Sequence, residues 1–413
     1  MMGNDANMWQ IVRAVADPAL LLFIVVGCLA ACASEASQVR KIASGAESAL
    51  RVGSAEIVLA TRDKPYSWPD GTIGILRDEG KYSFFAAGEA TPIRTLGTLD
   101  NPVAEGSQVQ RVEGLKNTYP YAAGGRVYKD PQTGTLLLFY HAEIRTFPPG
   151  YIPFFSELGL ALSIDRGTSW HDLGPIVRPH TPVSSSYFQK GGTWDVGWGT
   201  YVLAGEYFYL YFADLLQDGD DYARVNLAVA RAEIADVIDA AVNQRQAWPW
   251  TKYYQGSWEE PGLGGRSSPL IEQGDGSFMP SDVVFNTCLK KYTAVILGEP
   301  FPNPDLYWSE SSDGLKWDRL QKVVGDEGEQ IYATLVGEGD DPSLTGKDFF
   351  VYYIDSKESS KTGDRNRDAV LMRRRLSLGN ARCDRVSFLY GNGRAIGEKQ
   401  SALYKYHMSK TLP

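Results

Sequence analysis

Tyr207-Phe-Tyr-Leu-Tyr-Phe212 reads as a short strand that is almost wholly aromatic, and it is the most aromatic of five short strand-like runs that each carry at least one aromatic residue. The others are Tyr82-Ser-Phe-Phe85, Leu136-Leu-Leu-Phe-Tyr140, Tyr292-Thr-Ala-Val-Ile296 and Phe349-Phe-Val-Tyr-Tyr-Ile354, spaced roughly 55 to 85 residues apart. Aromatic and β-branched residues suit a pleated, buried surface, and turn residues separate the runs. A sheet unit repeated at this period, with loops of varying length, is how a β-propeller is written in sequence. The expected fold class is all-β, a five-bladed β-propeller preceded by a signal or lipoprotein segment.

Working outward from the aromatic strands, the neighbouring segments supply the rest of each blade. In the second repeat Gly125-Arg-Val-Tyr128 leads through the turn Asp130-Pro-Gln-Thr-Gly134 into the aromatic strand, then to Leu158-Gly-Leu-Ala-Leu-Ser163. The third runs Trp198-Gly-Thr-Tyr-Val202, Tyr207 to Phe212, and Val225-Asn-Leu-Ala-Val-Ala230; the fifth runs Gln330 to Val336, Phe349 to Ile354, and Ala369 to Arg373. Ile234, Val237, Ile238, Ala241 and Val242 share one face at helical spacing and predict a packing helix inserted in blade three. A strand over residues 54 to 60 precedes the first repeat and is expected to complete the last blade, closing the ring.

The chain has 413 residues, 43% apolar, 12% aromatic and 22% charged, which suits a large buried core. A net charge of −9, with no basic stripe, argues against nucleic acid as a partner. Near the N-terminus, Ala19 to Ala31 is an apolar run of 13 residues, in the range of a secretory core and short for a bilayer span. It ends in Leu29-Ala-Ala-Cys32, which resembles a bacterial lipoprotein cleavage box, with Cys32 the lipidated residue. Hence the expected organisation is a signal segment over 1–32, a flexible tether over 33–53 and a propeller over 54–413. The expected location is the bacterial cell envelope, with the membrane as partner only through the lipid. An ordinary signal peptide is the alternative. Cys288 and Cys383 are the two cysteines of the mature domain, and whether they pair is left open. The four histidines are scattered, no zinc or calcium spacing is evident, and no cofactor or metal is expected.

Ser163-Ile-Asp165-Arg-Gly-Thr-Ser-Trp170 resembles the Asp-box hairpin of sialidase-type propellers, and Ser311-Ser-Asp313-Gly-Leu-Lys-Trp317 resembles a hairpin common in five-bladed glycosidases. Both are read as structural, with Asp bonding turn amides and Trp packing between blades. Over roughly residues 54 to 390 the chain looks like the five-bladed propeller glycosidases that include families 43 and 32. That resemblance implies hydrolysis of an oligo- or polysaccharide, such as a furanoside, by paired carboxylates. Antiparallel strands bring the start of each inner strand and the end of the next to one end of the ring. Asp70 (Trp68-Pro-Asp-Gly), Asp195 (Thr193-Trp-Asp-Val-Gly), Asp282 (Pro280-Ser-Asp-Val-Val) and Glu329 fall there, with Glu143 of Tyr140-His-Ala-Glu143 among the strand-two exits. The resemblance implies Asp70 as base or nucleophile and Asp195 as an orienting acid; Asp282, Glu143 and Glu260 compete for proton donor. His141, Trp194 and Trp198 are candidate sugar contacts, and Arg266, on a Gly-rich link after Glu260, is a further substrate contact. A non-catalytic sugar-binding lipoprotein is the alternative function, with a phosphorylase or lyase behind it.

Overall fold

The structure is a computed structural model, and it describes residues 50–65, 67–88, 91–109, 112–113, 121–144, 155–182, 196–216, 224–272, 278–298, 305–324, 330–356, 369–379 and 383. The expected signal segment with Cys32, and the candidates Trp194, Asp195 and Glu329, lie outside these residues.

Five antiparallel sheets form the blades of an all-β propeller. Blade one is β2 (Asp70–Asp78), β3 (Lys81–Gly88), β4 (Thr91–Gly97) and β5 (Ser107–Val109). Blade two has its inner edge in two pieces, β7 (Tyr121–Ala123) and β8 (Val127–Lys129). Beyond these come β9 (Leu136–Ile144), β10 (Phe155–Ser163) and β11 (Trp170–Val177), with β6 (Val112–Glu113) outermost and parallel. Blade three is β12 (Val196–Ala204), β13 (Tyr207–Leu216), β14 (Arg224–Glu233), β15 (Thr251–Tyr254) and β16 (Ser257–Pro261). Blade four is β17 (Phe278–Asn286), β18 (Lys291–Gly298), β19 (Asp305–Ser311) and β20 (Gln321–Val324). Blade five is β21 (Gln330–Gly337), β23 (Asp348–Asp355) and β24 (Val370–Leu378); β22 (Leu344–Thr345), in its hairpin, pairs with β17 of blade four.

Closure uses the early strand β1 (Leu50–Leu59), which pairs with β24 as the fourth strand of blade five, as expected. It starts at Leu50, inside the span read as tether: a register shift between Val52 and Ala55 absorbs Gly53, so Leu50 to Val52 still pair with Leu376 to Leu378. Cys288 and Cys383 form a disulfide across 95 residues, fastening the chain after β24 to the β17–β18 turn. A loop of that length is worth about 4–5 kcal/mol in the chain-entropy account.

The core lies between blades. One apolar cluster joins blades one and two through Phe85, Leu138 and Trp170, a second joins two and three through Phe139, Phe208 and Trp250, and a third joins three and four through Tyr211, Val283 and Tyr292. The largest, with Trp68, Trp308 and Phe349, runs from blade four through five to one. The aromatic strands of the sequence are the second strands of the blades, pressed on both faces by neighbours. The helix predicted from Ile234 is α1 (Ile234–Asp239), continuing to Gln244, with Val237 and Ala241 buried against blades two and three.

Both turn motifs take the structural role expected of them. Asp165 accepts bonds from the Thr168 and Ser169 amides and the Ser163 and Ser169 hydroxyls. Slight burial raises its pKa, but these bonds outweigh it and hold the carboxyl down at about 2. Trp170 then meets Phe85 of blade one edge-on at 6.0 Å. Asp313 likewise accepts from the Leu315 and Lys316 amides, and Trp317 meets Tyr211 of blade three at 6.0 Å. Asp130 caps its own turn by accepting from Thr133.

Candidate functional site

All five inner edges break register at the same level. The breaks fall between Asp70 and Gly74, between Ala123 and Val127, between Gly197 and Thr200, between Pro280 and Asp282, and between Ile331 and Thr334. A bulge turns side chains out of the sheet plane and bends the strand. Below the breaks the inner strands converge closely: a Cβ on Gly74 would stand 2.2 Å from the Gly125 carbonyl oxygen.

At this constriction the released groups bond across the channel. Arg126 of blade two reaches Asp282 of blade four with two bonds, 2.5 and 3.3 Å. The same carboxylate accepts from the Thr200 hydroxyl of blade three at 2.7 Å and the Leu335 amide of blade five at 2.8 Å. Blade one joins through the Thr72 hydroxyl, which donates to the Ser281 carbonyl at 2.8 Å, and the Ile73 amide, which donates to Thr334 Oγ1 at 3.0 Å. Burial pushes the Asp282 carboxyl above the usual aspartate range, against the Arg126 charge and the bonds from Thr200 and Leu335. Asp282 therefore sits in a sealed polar belt, not at the rim where its sequence position suggested. The strand starts earlier than its Pro suggests: β17 opens at Phe278 and Pro280 stands beside the bulge, which carries Asp282 down to belt level.

On the other side of the belt a cavity of about 230 Å³ opens, lined among the described residues by Asp70, Thr72, Tyr121, His141, Glu143, Trp198, Tyr332, Phe139 and the glycines Gly71, Gly124, Gly125 and Gly199. Four sequence candidates from three blades thus meet in one place: Asp70 at the start of β2, His141 and Glu143 two apart on β9, and Trp198 in the β12 bulge. Tyr121 stands opposite Glu143 in the β7–β9 register and donates its phenol proton to Asp70 Oδ2 at 2.9 Å. Its ring meets His141 edge-on at 6.2 Å. Burial first, then the charges of Asp70 and Glu143 and the neighbouring Tyr332, push the Tyr121 phenol well above its usual range. The phenol therefore remains a donor at any working pH. Glu143 is only 7% exposed.

Glu260 and Arg266 stand elsewhere. Of the segment read as a link between blades, Trp258 to Pro261 belong to β16 of the outer hairpin β15–β16 and Gly262 to Ser268 follow it; Glu260 accepts from the Arg266 amide at 2.9 Å and the exposed Arg266 guanidinium lies over Tyr254. Neither is among the cavity's described lining. Conversely, Tyr121 and Tyr332 line the cavity without having been singled out. Tyr332-Ala-Thr334 repeats the aromatic–small–Thr order of Trp198-Gly-Thr200, a match that marks both as bulged inner strands.

No protein-family model matches this sequence, and no curated protein matches it. Similar solved structures include a family 62 α-L-arabinofuranosidase of Coprinopsis cinerea (10% identity, TM-score 0.48, covering 82% of this chain and 100% of that one). Another is the Podospora anserina α-L-arabinofuranosidase solved with cellotriose (10% identity, TM-score 0.49, covering 80% and 98%). A third is a family 117 glycoside hydrolase of Zobellia galactanivorans (11% identity, TM-score 0.48, covering 81% and 92%). The chain is a five-bladed β-propeller, and the solved structures similar to it include these glycoside hydrolases.

Proposed function

We propose that the protein is a glycoside hydrolase whose reaction takes place in the cavity between the inner strands, with a furanoside among the substrates to test first. One observation carries this reading: Asp70 and Glu143, from different blades, line a single cavity, with Tyr121 opposite Glu143 in the strand register and its hydroxyl donating to Asp70. Glycosidic cleavage needs one carboxylate that stays ionised and one carboxyl that delivers a proton. Asp70, with a phenol donor on one oxygen, fits the ionised partner, as nucleophile or as base for a water. Glu143, nearly closed off from solvent and opposite Tyr121 on the paired strand, is assigned the proton donor by its place in the cavity. Asp195 is proposed as a third, orienting carboxylate from the chain just before β12. Similar folds include α-L-arabinofuranosidases, which sets that furanoside first in the screen.

The test is a screen of the purified chain against 4-nitrophenyl glycosides, α-L-arabinofuranoside included, and plant and bacterial glycans, with product analysis. Release of sugar by the wild type and not by Asp70→Asn supports the proposal. Binding of glycans without any release would instead identify a carbohydrate-binding propeller.

Tyr121→Phe checks the bond to Asp70. It removes a bond that only the ionised carboxylate accepts strongly. The acid limb of the pH–rate profile is expected to move to higher pH, with turnover down about tenfold and the fold intact. An unshifted limb would show that the phenol does not act through Asp70.

The envelope location remains a proposal as well, and the Cys288–Cys383 disulfide supports export to an oxidising compartment. Labelled palmitate is expected to enter the wild-type chain in a bacterial host and to be absent from Cys32→Ala; label in both would refute the lipoprotein reading.

A further inference from the structure

Trp198 and Tyr332 hold backbone angles that bulky residues rarely adopt, φ 52° and 57°, in the left-handed region. Each stands inside an inner-strand bulge, one on blade three and the other on blade five. The belt locks both conformations by pinning the chain two residues beyond each ring: Thr200 donates to Asp282, and Thr334 accepts from the Ile73 amide. A glycine would occupy either position without strain. Strain kept twice, at matched positions, with an aromatic ring at each, points to a task for the rings. The left-handed turn rotates both out of the sheet and into the cavity wall beside Asp70, where they lie 6.4 Å apart, tilted by 39°, each partly exposed.

Resting on the hydrolase reading above, we propose that Trp198 and Tyr332 together form a stacking platform for the apolar face of a neutral sugar ring, and that this pair decides which glycoside the cavity accepts. Rings set at 39° and 6.4 Å are too close to sandwich a sugar, so they act as one angled surface against a single face of axial C–H bonds. The hydroxyls on the sugar's other side then turn toward Asp70, Tyr121 and Glu143. The ionised Asp70 in the same cavity disfavours an anionic sugar by like-charge repulsion. A core-filling role fits less well. Fully buried rings of this propeller, such as Tyr211, Tyr292 and Tyr352, sit on β13, β18 and β23, the second strands of their blades, at positions with no left-handed backbone.

The experiment uses four variants, Trp198→Leu, Trp198→Phe, Tyr332→Leu and Tyr332→Phe, in the full chain. Leucine keeps apolar bulk and the backbone strain but has no aromatic face; phenylalanine keeps the face. With the 4-nitrophenyl glycoside the wild type hydrolyses, the leucine variants are expected to raise KM about tenfold with kcat changed less, while the phenylalanine variants stay within about threefold. The wild type is expected to leave 4-nitrophenyl β-D-glucuronide untouched. Unchanged KM in both leucine variants, turnover of the glucuronide, or loss of folding in both leucine and phenylalanine variants would each overturn the proposal. If the wild type hydrolyses no glycoside, the hydrolase reading fails and the platform is read separately, by tryptophan-fluorescence titration with arabino- and xylo-oligosaccharides. Saturable quenching in the wild type that both leucine variants lose upholds the platform, and no quenching in the wild type overturns it.

Discussion

Asp70→Asn is expected to lower turnover of every responsive glycoside by about a thousandfold or more, with melting temperature unchanged within a few degrees. The fold is spared because the asparagine carbonyl can still accept the Tyr121 proton at the position the carboxylate now holds. The chemistry is lost because a neutral amide can neither attack the anomeric carbon nor draw a proton from water. Glu143→Gln separates the two roles. A proton donor matters in proportion to how poor the leaving group is, so this variant is expected to lose about a hundredfold or more on a natural glycan and far less on a 2,4-dinitrophenyl glycoside, whose phenolate departs unaided. Equal losses on both substrates would remove Glu143 from the donor's role. An Asp70→Asn variant keeping a tenth of wild-type activity would end the proposal that Asp70 is the ionised partner.

Asp282→Ala is expected to destabilise the propeller by about 3–5 kcal/mol, because it strands the Arg126 guanidinium, only 3% exposed, in the middle of the ring. It also leaves the Thr200 hydroxyl and the Leu335 amide without their acceptor. The double variant Arg126→Met with Asp282→Leu, which takes both charges out and keeps apolar volume, is expected to recover most of that loss. Urea unfolding of the three proteins measures the difference. The outcome against a belt role would be an Asp282→Ala protein of wild-type stability that had lost only activity, since that is the signature of a carboxylate working at a reacting centre.

How legible each feature was in the sequence depends on the range over which its cause acts. Strand identity is local: aromatic and β-branched runs between turn residues declare themselves wherever they sit, and five of them, each followed by further strand-like segments, imply five blades. The Ser-x-Asp hairpins are equally local, since Asp165 and Asp313 bond amides two to four residues away. Ring closure was legible because an extra strand before the first repeat has one vacant edge to fill. The grouping of Asp70 with His141 and Glu143 came from strand direction alone, since antiparallel alternation decides which end of a blade each residue reaches.

Depth and aim were another matter. Asp70 and Asp282 look alike in sequence, each just after a proline at the head of an inner strand, yet Asp70 lines the cavity and Asp282 is sealed in the belt. The difference is the register at which β17 pairs with β18 and bulges beside Pro280, a property of two strands and invisible in one. The same holds for Tyr332, whose strand reads as an ordinary alternating run until the bulge turns its ring into the cavity, and for Glu260, whose segment folds into an outer hairpin. The amino-acid order by itself determined the number of blades, their strands and turns, and the end of the ring at which Asp70 and Glu143 meet, because short-range propensity and strand alternation suffice for these. Only the tertiary structure decided which carboxylate faces the cavity and which serves as internal ion pair, because that depends on five inner strands slipping register against partners and locking one another across a shared axis.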